Sequence, residues 1–237
     1  MKNYISIDAS EKSTAVAVKS DHGYYLFNYT VTKPDYKWMK LTKDFINLRF
    51  YTYETSDDYS ESELCKLNTF SKMALAVLKD VLTCINPKEE TILGMEGYNF
   101  NPYSGNSIID IVGISTCIRL LLLLNIPNIV KYKIIAPKSL KSRTCELVYG
   151  MPEPKIGKRG KPLKEKLVAL RPSDGLKGGD FDKCDMFRCI YDGQVKSPIY
   201  QFYLDNKEEL LSHKEVKKPF EDINDAILLL KIIETDY

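Results

Sequence analysis

Short β-rich runs open this chain, and longer helical periods follow. Tyr4-Ile5-Ser6-Ile7-Asp8 carries apolar residues at alternate positions. Ser13 to Lys19 and Gly23 to Val31 are rich in β-branched and aromatic residues, with Asp21-His22-Gly23 between them. Strand side chains alternate between faces, and Gly and Asp favour turns, so these runs predict an antiparallel meander. Residues 32–60 are polar and aromatic without a clear period and predict a loop or lid. Leu64, Leu67, Phe70, Met73, Ala74, Val77, Leu78, Val81 and Leu82 then recur at helical spacing. The Glu61-Ser62-Glu63 start suits that helix's N-terminus, where carboxylates meet the positive end of the dipole.

Thr91 to Glu96 is a further apolar run, followed by a Gly, Asn and Pro loop from Gly97 to Asn106. A strongly apolar helix is predicted at about residues 107–124, then a strand from Val130 to Ile135 that ends at Ala136-Pro137, then a short helix from near Lys138. Residues 150–220 break this rhythm. They hold Pro152, Pro154, Pro162, Pro172, several glycines and dense lysines, and predict an insertion of loops and short helices. A last helix opens at Asp222. The order β-β-β-α-β-α-β-α argues for a mixed sheet flanked by helices.

A length of 237 residues fits one large domain or one domain with an insertion. Net charge is only +2, so any affinity for nucleic acid must come from local clusters. One cluster is Lys155, Lys158, Arg159, Lys161, Lys164 and Lys166; another is Lys131, Lys133, Lys138, Lys141 and Arg143. By default such runs are solvated surface, but a cationic arm among glycines and prolines also suits phosphate tracking. The six cysteines form no C-x-x-C pair and the only histidines are His22 and His213, which argues against zinc. The N-terminus lacks a signal-peptide core, and Ile118 to Leu124 is too short to span a bilayer. These features predict a reduced, cytoplasmic protein with no membrane partner.

The candidate chemistry lies in four carboxylates. Asp8 and Glu96 each end an apolar run, and Asp222 and Asp225 open the last helix. Singly, each has a structural explanation: Asp8 opens a turn, and the helix pair caps and charges an N-terminus. Together they offer the hard oxygen ligands that Mg²⁺ selects. Two such ions serve phosphodiester hydrolysis.

These stations resemble the RuvC-type Holliday junction resolvases of the RNase H-like superfamily. Ile5-Ser6-Ile7-Asp8-Ala9-Ser10 is similar to the family's first acidic strand, and Glu96 with its aromatic loop and apolar helix to the second station. Pro137-Lys138-Ser139-Leu140-Lys141 through Gly150 resembles the next turn and helix. Asp222-Ile223-Asn224-Asp225-Ala226 resembles the final D-x-x-D-A, and Gly179-Asp180-Phe181-Asp182-Lys183 the upstream lysine motif. Two departures stand out: Ala9-Ser10 replaces the usual glycine after the first acid, and residues 150–220 are longer than the pattern.

The resemblance implies a single RNase H-like domain over residues 1–237, with a mixed five-stranded sheet flanked by helices and a basic insertion at about 150–220. It implies a homodimeric endonuclease that cuts four-way DNA junctions, with two Mg²⁺ ions, or Mn²⁺ in their place, on Asp8, Glu96, Asp222 and Asp225. Lys183 becomes a candidate catalytic lysine. Lys138, Lys141, Arg143, Lys158, Arg159 and Lys161 become DNA-binding candidates, and Tyr98 and Phe100 candidates for stacking on an unpaired base. The apolar helix at 107–124 is the candidate dimer face. Other RNase H-like nucleases of terminase, flap or RNA–DNA hybrid type would share the carboxylates. An actin/Hsp70-like ATPase or a non-catalytic DNA-binding protein are the remaining alternatives.

Overall fold

The computed structural model describes residues 1–10, 12–31, 45–52, 56–98, 105–150, 153–156, 162–168, 181–212 and 215–237. The first three strands, β1 (Asn3–Asp8), β2 (Ser13–Ser20) and β3 (Gly23–Thr30), form the expected antiparallel meander. After helix α1 (Tyr59–Cys84), strand β5 (Thr91–Glu96) joins β1 in parallel. After helix α2 (Gly105–Asn125), β6 (Ile129–Ile135) joins β5 in parallel. A short strand β4 (Asn47–Phe50) pairs in parallel with β3, so the order is β4-β3-β2-β1-β5-β6. This is a mixed sheet flanked by helices, with six strands rather than the five expected.

The sixth strand falls in the stretch read as loop or lid. Four residues are too few to establish a period, and its anchors come from distant elements. The Arg49 guanidinium donates to both oxygens of Asp80 on α1, at 2.7 and 2.5 Å, and the Tyr29 hydroxyl of β3 donates to the same carboxylate at 2.7 Å. A fully paired buried carboxylate holds the edge strand to the helix. Residues 32–44 of the expected lid, Trp38 among them, lie outside the described residues.

Strand alternation divides the sheet into two faces. Ile5, Ile7, Val16, Val18, Leu93 and Met95 point to one side, where Phe70, Met73, Val77 and Val81 of α1 and Ile114, Ile118 and Leu122 of α2 cover them. Ala15, Ala17, Leu26 and Ile92 point to the other, toward the last helix, α6 (Phe220–Asp236). From Ala226 to Ile233 that helix is apolar on nearly every side, and helices of this kind are buried. Behind it stand α3 (Pro137–Tyr149), α4 (Lys183–Tyr191) and α5 (Tyr200–Leu210), through Leu140, Met186, Phe187 and Tyr203.

Small residues let α6 approach the sheet. Ala17, Ser6 and Gly94 are register partners across β2, β1 and β5. A Cβ placed on Gly94 would lie 3.0 Å from Ile233 Cγ2 and 3.6 Å from Leu229 Cγ. Ser6 Oγ donates a 2.6 Å hydrogen bond to the Ala226 carbonyl, fixing the helix along its axis.

Residues 150–220 depart from expectation in two ways. They contain an antiparallel hairpin, β7 (Glu153–Ile156) with β8 (Pro162–Val168), whose alternation is diluted by prolines and lysines. Their two helices are not peripheral, because Phe187, Cys189, Ile190 and Tyr203 are fully buried in the core around α6. A second small ladder pairs β9 (Leu211–Ser212) with β10 (Glu215–Val216) just before α6. No helix among the described residues is long and apolar enough to cross a membrane.

Candidate metal centre

Period-two alternation places Asp8 on the same face as Ser6, and Glu96 on the same face as Gly94. Both carboxylates therefore continue the row over which α6 lies, at the point where the two parallel strands end. On α6, Asp222, Asp225, Ala226, Leu229 and Ile233 follow helical spacing along one side. Ala226, Leu229 and Ile233 rest on Ser6 and Gly94, so Asp225 and Asp222 stand over the strand ends. Ligand oxygens of Asp8, Glu96 and Asp225 all lie within 4.8 Å of one another. Asp222 belongs to the same electrostatic group but lies outside that trio. It is not the helix cap, since Pro219 holds that position.

Asp8, Asp222 and Asp225 are 7, 4 and 2% exposed, and Glu96 is half-buried. Burial pushes all four acids above the usual carboxylate range; repulsion within the cluster adds to it for Asp8, Glu96 and Asp225, and repulsion from Glu221 adds to it for Asp222. Asp225 is pushed up to about 7, by burial first and then by the Asp8 charge. Asp8 is raised well above its ordinary value by burial and by Glu96. Two carboxylate oxygens, Asp222 Oδ2 and Asp225 Oδ1, are buried without a hydrogen-bond partner. Unpaired buried acceptors in a like-charge cluster are costly. Divalent cations would resolve both problems, and an all-oxygen donor set is the one Mg²⁺ takes.

Two lysines currently offset part of the charge. Lys183, the first residue of α4, pairs with Asp225 and stands 3.6 Å from Glu221. Burial alone would lower its pKa, but the surrounding carboxylates outweigh that and raise it. Lys218 pairs with Asp222 and stands 3.2 Å from Glu221. No motif in the sequence marks it. Its spacing of four residues before Asp222 is a signal only if the helix begins earlier, and Pro219 hides that.

The other candidates separate. Lys141 lines a cavity of about 580 Å³ together with Lys183, Lys217 and Lys218, so it is brought to the site. Lys138 is exposed in the first turn of α3. Arg143 is not brought there: it pairs with Asp236, which Lys133 also engages. Asp236 lies at the far end of α6, about 16 Å from Asp225 at 1.5 Å per residue. Tyr98 follows Glu96 by two residues, and the Arg119 guanidinium lies 4.7 Å from its ring centroid. Phe100, Lys158, Arg159 and Lys161 lie outside the described residues.

The raised carboxylates set a pH dependence. An acid whose folded pKa is raised contributes stability below its unfolded pKa and loses it as pH rises through the folded value. For Asp225 that window runs from about 4 to about 7. The metal-free protein should therefore lose Tm between pH 5 and pH 8. Added Mg²⁺ should raise Tm more at pH 8 than at pH 5.5, as read by differential scanning fluorimetry. An equal Mg²⁺ effect at both pH values would contradict this electrostatic account.

No protein-family model matches the chain, and no curated protein matches it. Among solved structures it is similar to the yeast mitochondrial Holliday junction resolvase Ydc2. Identity is 9%, covering 99% of this chain and 81% of that one, with a TM-score of 0.47. It is also similar to T. thermophilus RuvC in complex with a Holliday junction substrate. There identity is 12%, covering 73% of this chain and 86% of that one, with a TM-score of 0.32.

Proposed function

We propose that this chain is a Mg²⁺-dependent endonuclease for branched DNA, with four-way junctions as its substrate. The observation that carries the reading is the convergence of Asp8, Glu96 and Asp225 within 4.8 Å, two strand ends beneath one helix. Asp8, Glu96, Asp222 and Asp225 would hold two Mg²⁺ ions, with Mn²⁺ as a substitute. Bound there, the ions would supply an activated water and stabilisation of charge on the phosphodiester. The protein's own groups do the rest. The four carboxylates fix the ligand positions on rigid elements. Lys183 carries positive charge beside Asp225, suited to the charge that develops on the leaving 3′ oxygen. Lys141 and Lys138 would carry flanking phosphates, and Lys158, Arg159 and Lys161 of the basic insertion would add to phosphate affinity, in a single domain of 237 residues. Replacing Lys183 with Ala should lower the cleavage rate more than the affinity.

A second copy of the chain fits the apolar surface that α1 and α2 leave open. Leu64, Leu67 and Leu75 of α1 and Ile109, Leu120 and Leu124 of α2 are all more than half exposed. Exposed apolar surface of this kind suits an interaction site. A two-fold dimer presents two equivalent centres, one for each of two opposed strands at a junction.

The test is a nicking assay with Mg²⁺ at low salt on four-way, flap, linear duplex and RNA–DNA substrates. Paired symmetric nicks in the junction, from a protein that sediments as a dimer, are expected. A monomer that cuts duplex or hybrid equally well would replace the resolvase reading with a general RNase H-like nuclease.

A further inference from the structure

Lys218 borders two environments. Behind it are Asp222, with which it pairs, and Glu221 at 3.2 Å. Ahead is the cavity of about 580 Å³, whose wall it shares with Lys141, Lys183 and Lys217 and with the acids Asp182, Glu215 and Glu221. Its side chain is 58% exposed, whereas that of Asp222 is 5% exposed, so the ammonium reaches from solvent onto a buried acid. Lys183 makes matching contacts with Asp225 and Glu221 but is only 31% exposed. The two lysines thus differ in depth, and Lys218 is the one nearer the open side.

Charge explains why Lys218 would move. Asp8, Glu96, Asp222, Asp225 and Glu221 outnumber Lys183 and Lys218, so the cation-free cluster offers a phosphodiester no net positive charge. Asp222 and Asp225 each keep one buried oxygen without a partner, so the lysines satisfy these acids only in part. Divalent cations on the carboxylates would reverse the sign of the site and displace the ammonium of Lys218 from Asp222. A lysine is suited to such an exchange, since it is a point charge with three donors on a flexible stem.

We propose that Lys218 is a phosphate-binding residue of this cavity, clamped on Asp222 and Glu221 until divalent cations occupy the carboxylates. It then contacts a DNA backbone phosphate adjacent to the one that is cut. This rests on the metal-dependent nuclease reading and adds to it a named contact and an order: cation first, DNA second.

The test is the salt dependence of binding to a labelled four-way junction, measured by fluorescence anisotropy in EDTA and in Ca²⁺. Wild type, Lys218→Met, Lys218→Gln and Lys218→Arg are compared, after thermal scans have shown each to be folded. Each phosphate contact adds roughly 0.9 to the slope of log affinity against log salt. In Ca²⁺ both Lys218→Met and Lys218→Gln should lose about 0.9 from that slope and bind about 5-fold more weakly, while Lys218→Arg keeps the wild-type slope. In EDTA the four proteins should share one slope. An unchanged slope for Lys218→Met and Lys218→Gln in Ca²⁺, with wild type still gaining affinity from the cation, overturns the role of Lys218 alone. The same loss in EDTA as in Ca²⁺ overturns the exchange. A wild type whose DNA affinity ignores Ca²⁺ overturns the nuclease reading as well.

Discussion

Asp8→Asn should abolish cleavage, by roughly 10³-fold or more in rate, while DNA binding is kept or strengthened. Asp8 is 7% exposed and contributes one of the three ligand oxygens that converge within 4.8 Å. Asparagine preserves its volume, so the strand end and its packing persist. The amide, however, offers a neutral oxygen where a divalent cation needs a charged one. Removing the charge also relieves repulsion on Asp225, so metal-free Asp8→Asn should melt higher than wild type at pH 8. Loss of activity with gain of stability separates a functional acid from a structural one. A fully active variant, or one that melts lower at pH 8, contradicts this role.

Gly94→Val should damage the site from a distance. The valine Cβ would sit 3.0 Å from Ile233 Cγ2, with its methyl groups reaching further into Leu229 and Ile233. Overpacking of this kind costs about 1–3 kcal/mol, or roughly 5 °C in Tm for a chain of this size. The larger consequence is displacement of α6, which carries Asp222 and Asp225. A shift of about 1 Å in catalytic groups can cost about 10²-fold in rate. Cleavage measured well below the variant's Tm should therefore fall by about that factor. Activity falling only in proportion to the unfolded fraction would mean that α6 tolerates the substitution without moving its acids.

The carboxylate stations were legible in the sequence because each rests on a periodicity. Alternation in Tyr4 to Asp8 and in Thr91 to Glu96 delivers an acid to a defined face, and the i, i+3 spacing of Asp222 and Asp225 keeps both on one side of a helix. What sets their convergence was less visible. Ser6, Ala17 and Gly94 read singly as ordinary small residues, and only strand register reveals them as the bed of α6. Strand β4 was missed because its order depends on Asp80, more than thirty residues away on α1. The basic residues carry the least directional signal. Lys141 and Arg143 are two positions apart on one helix, yet one lines the cavity by the carboxylates and the other is bound to Asp236. Charge clusters carry no direction in sequence, so helix phase had to separate them.

Divalent-cation binding is the central claim, and anomalous scattering from crystals grown with Mn²⁺ tests it most directly. Two peaks about 3.5–4 Å apart are predicted. They should be ligated by Asp8, Glu96, Asp222 and Asp225, with Lys218 withdrawn from Asp222. Ordered Mn²⁺ elsewhere on the protein, with Asp225 and Asp222 still paired to Lys183 and Lys218, would contradict the account.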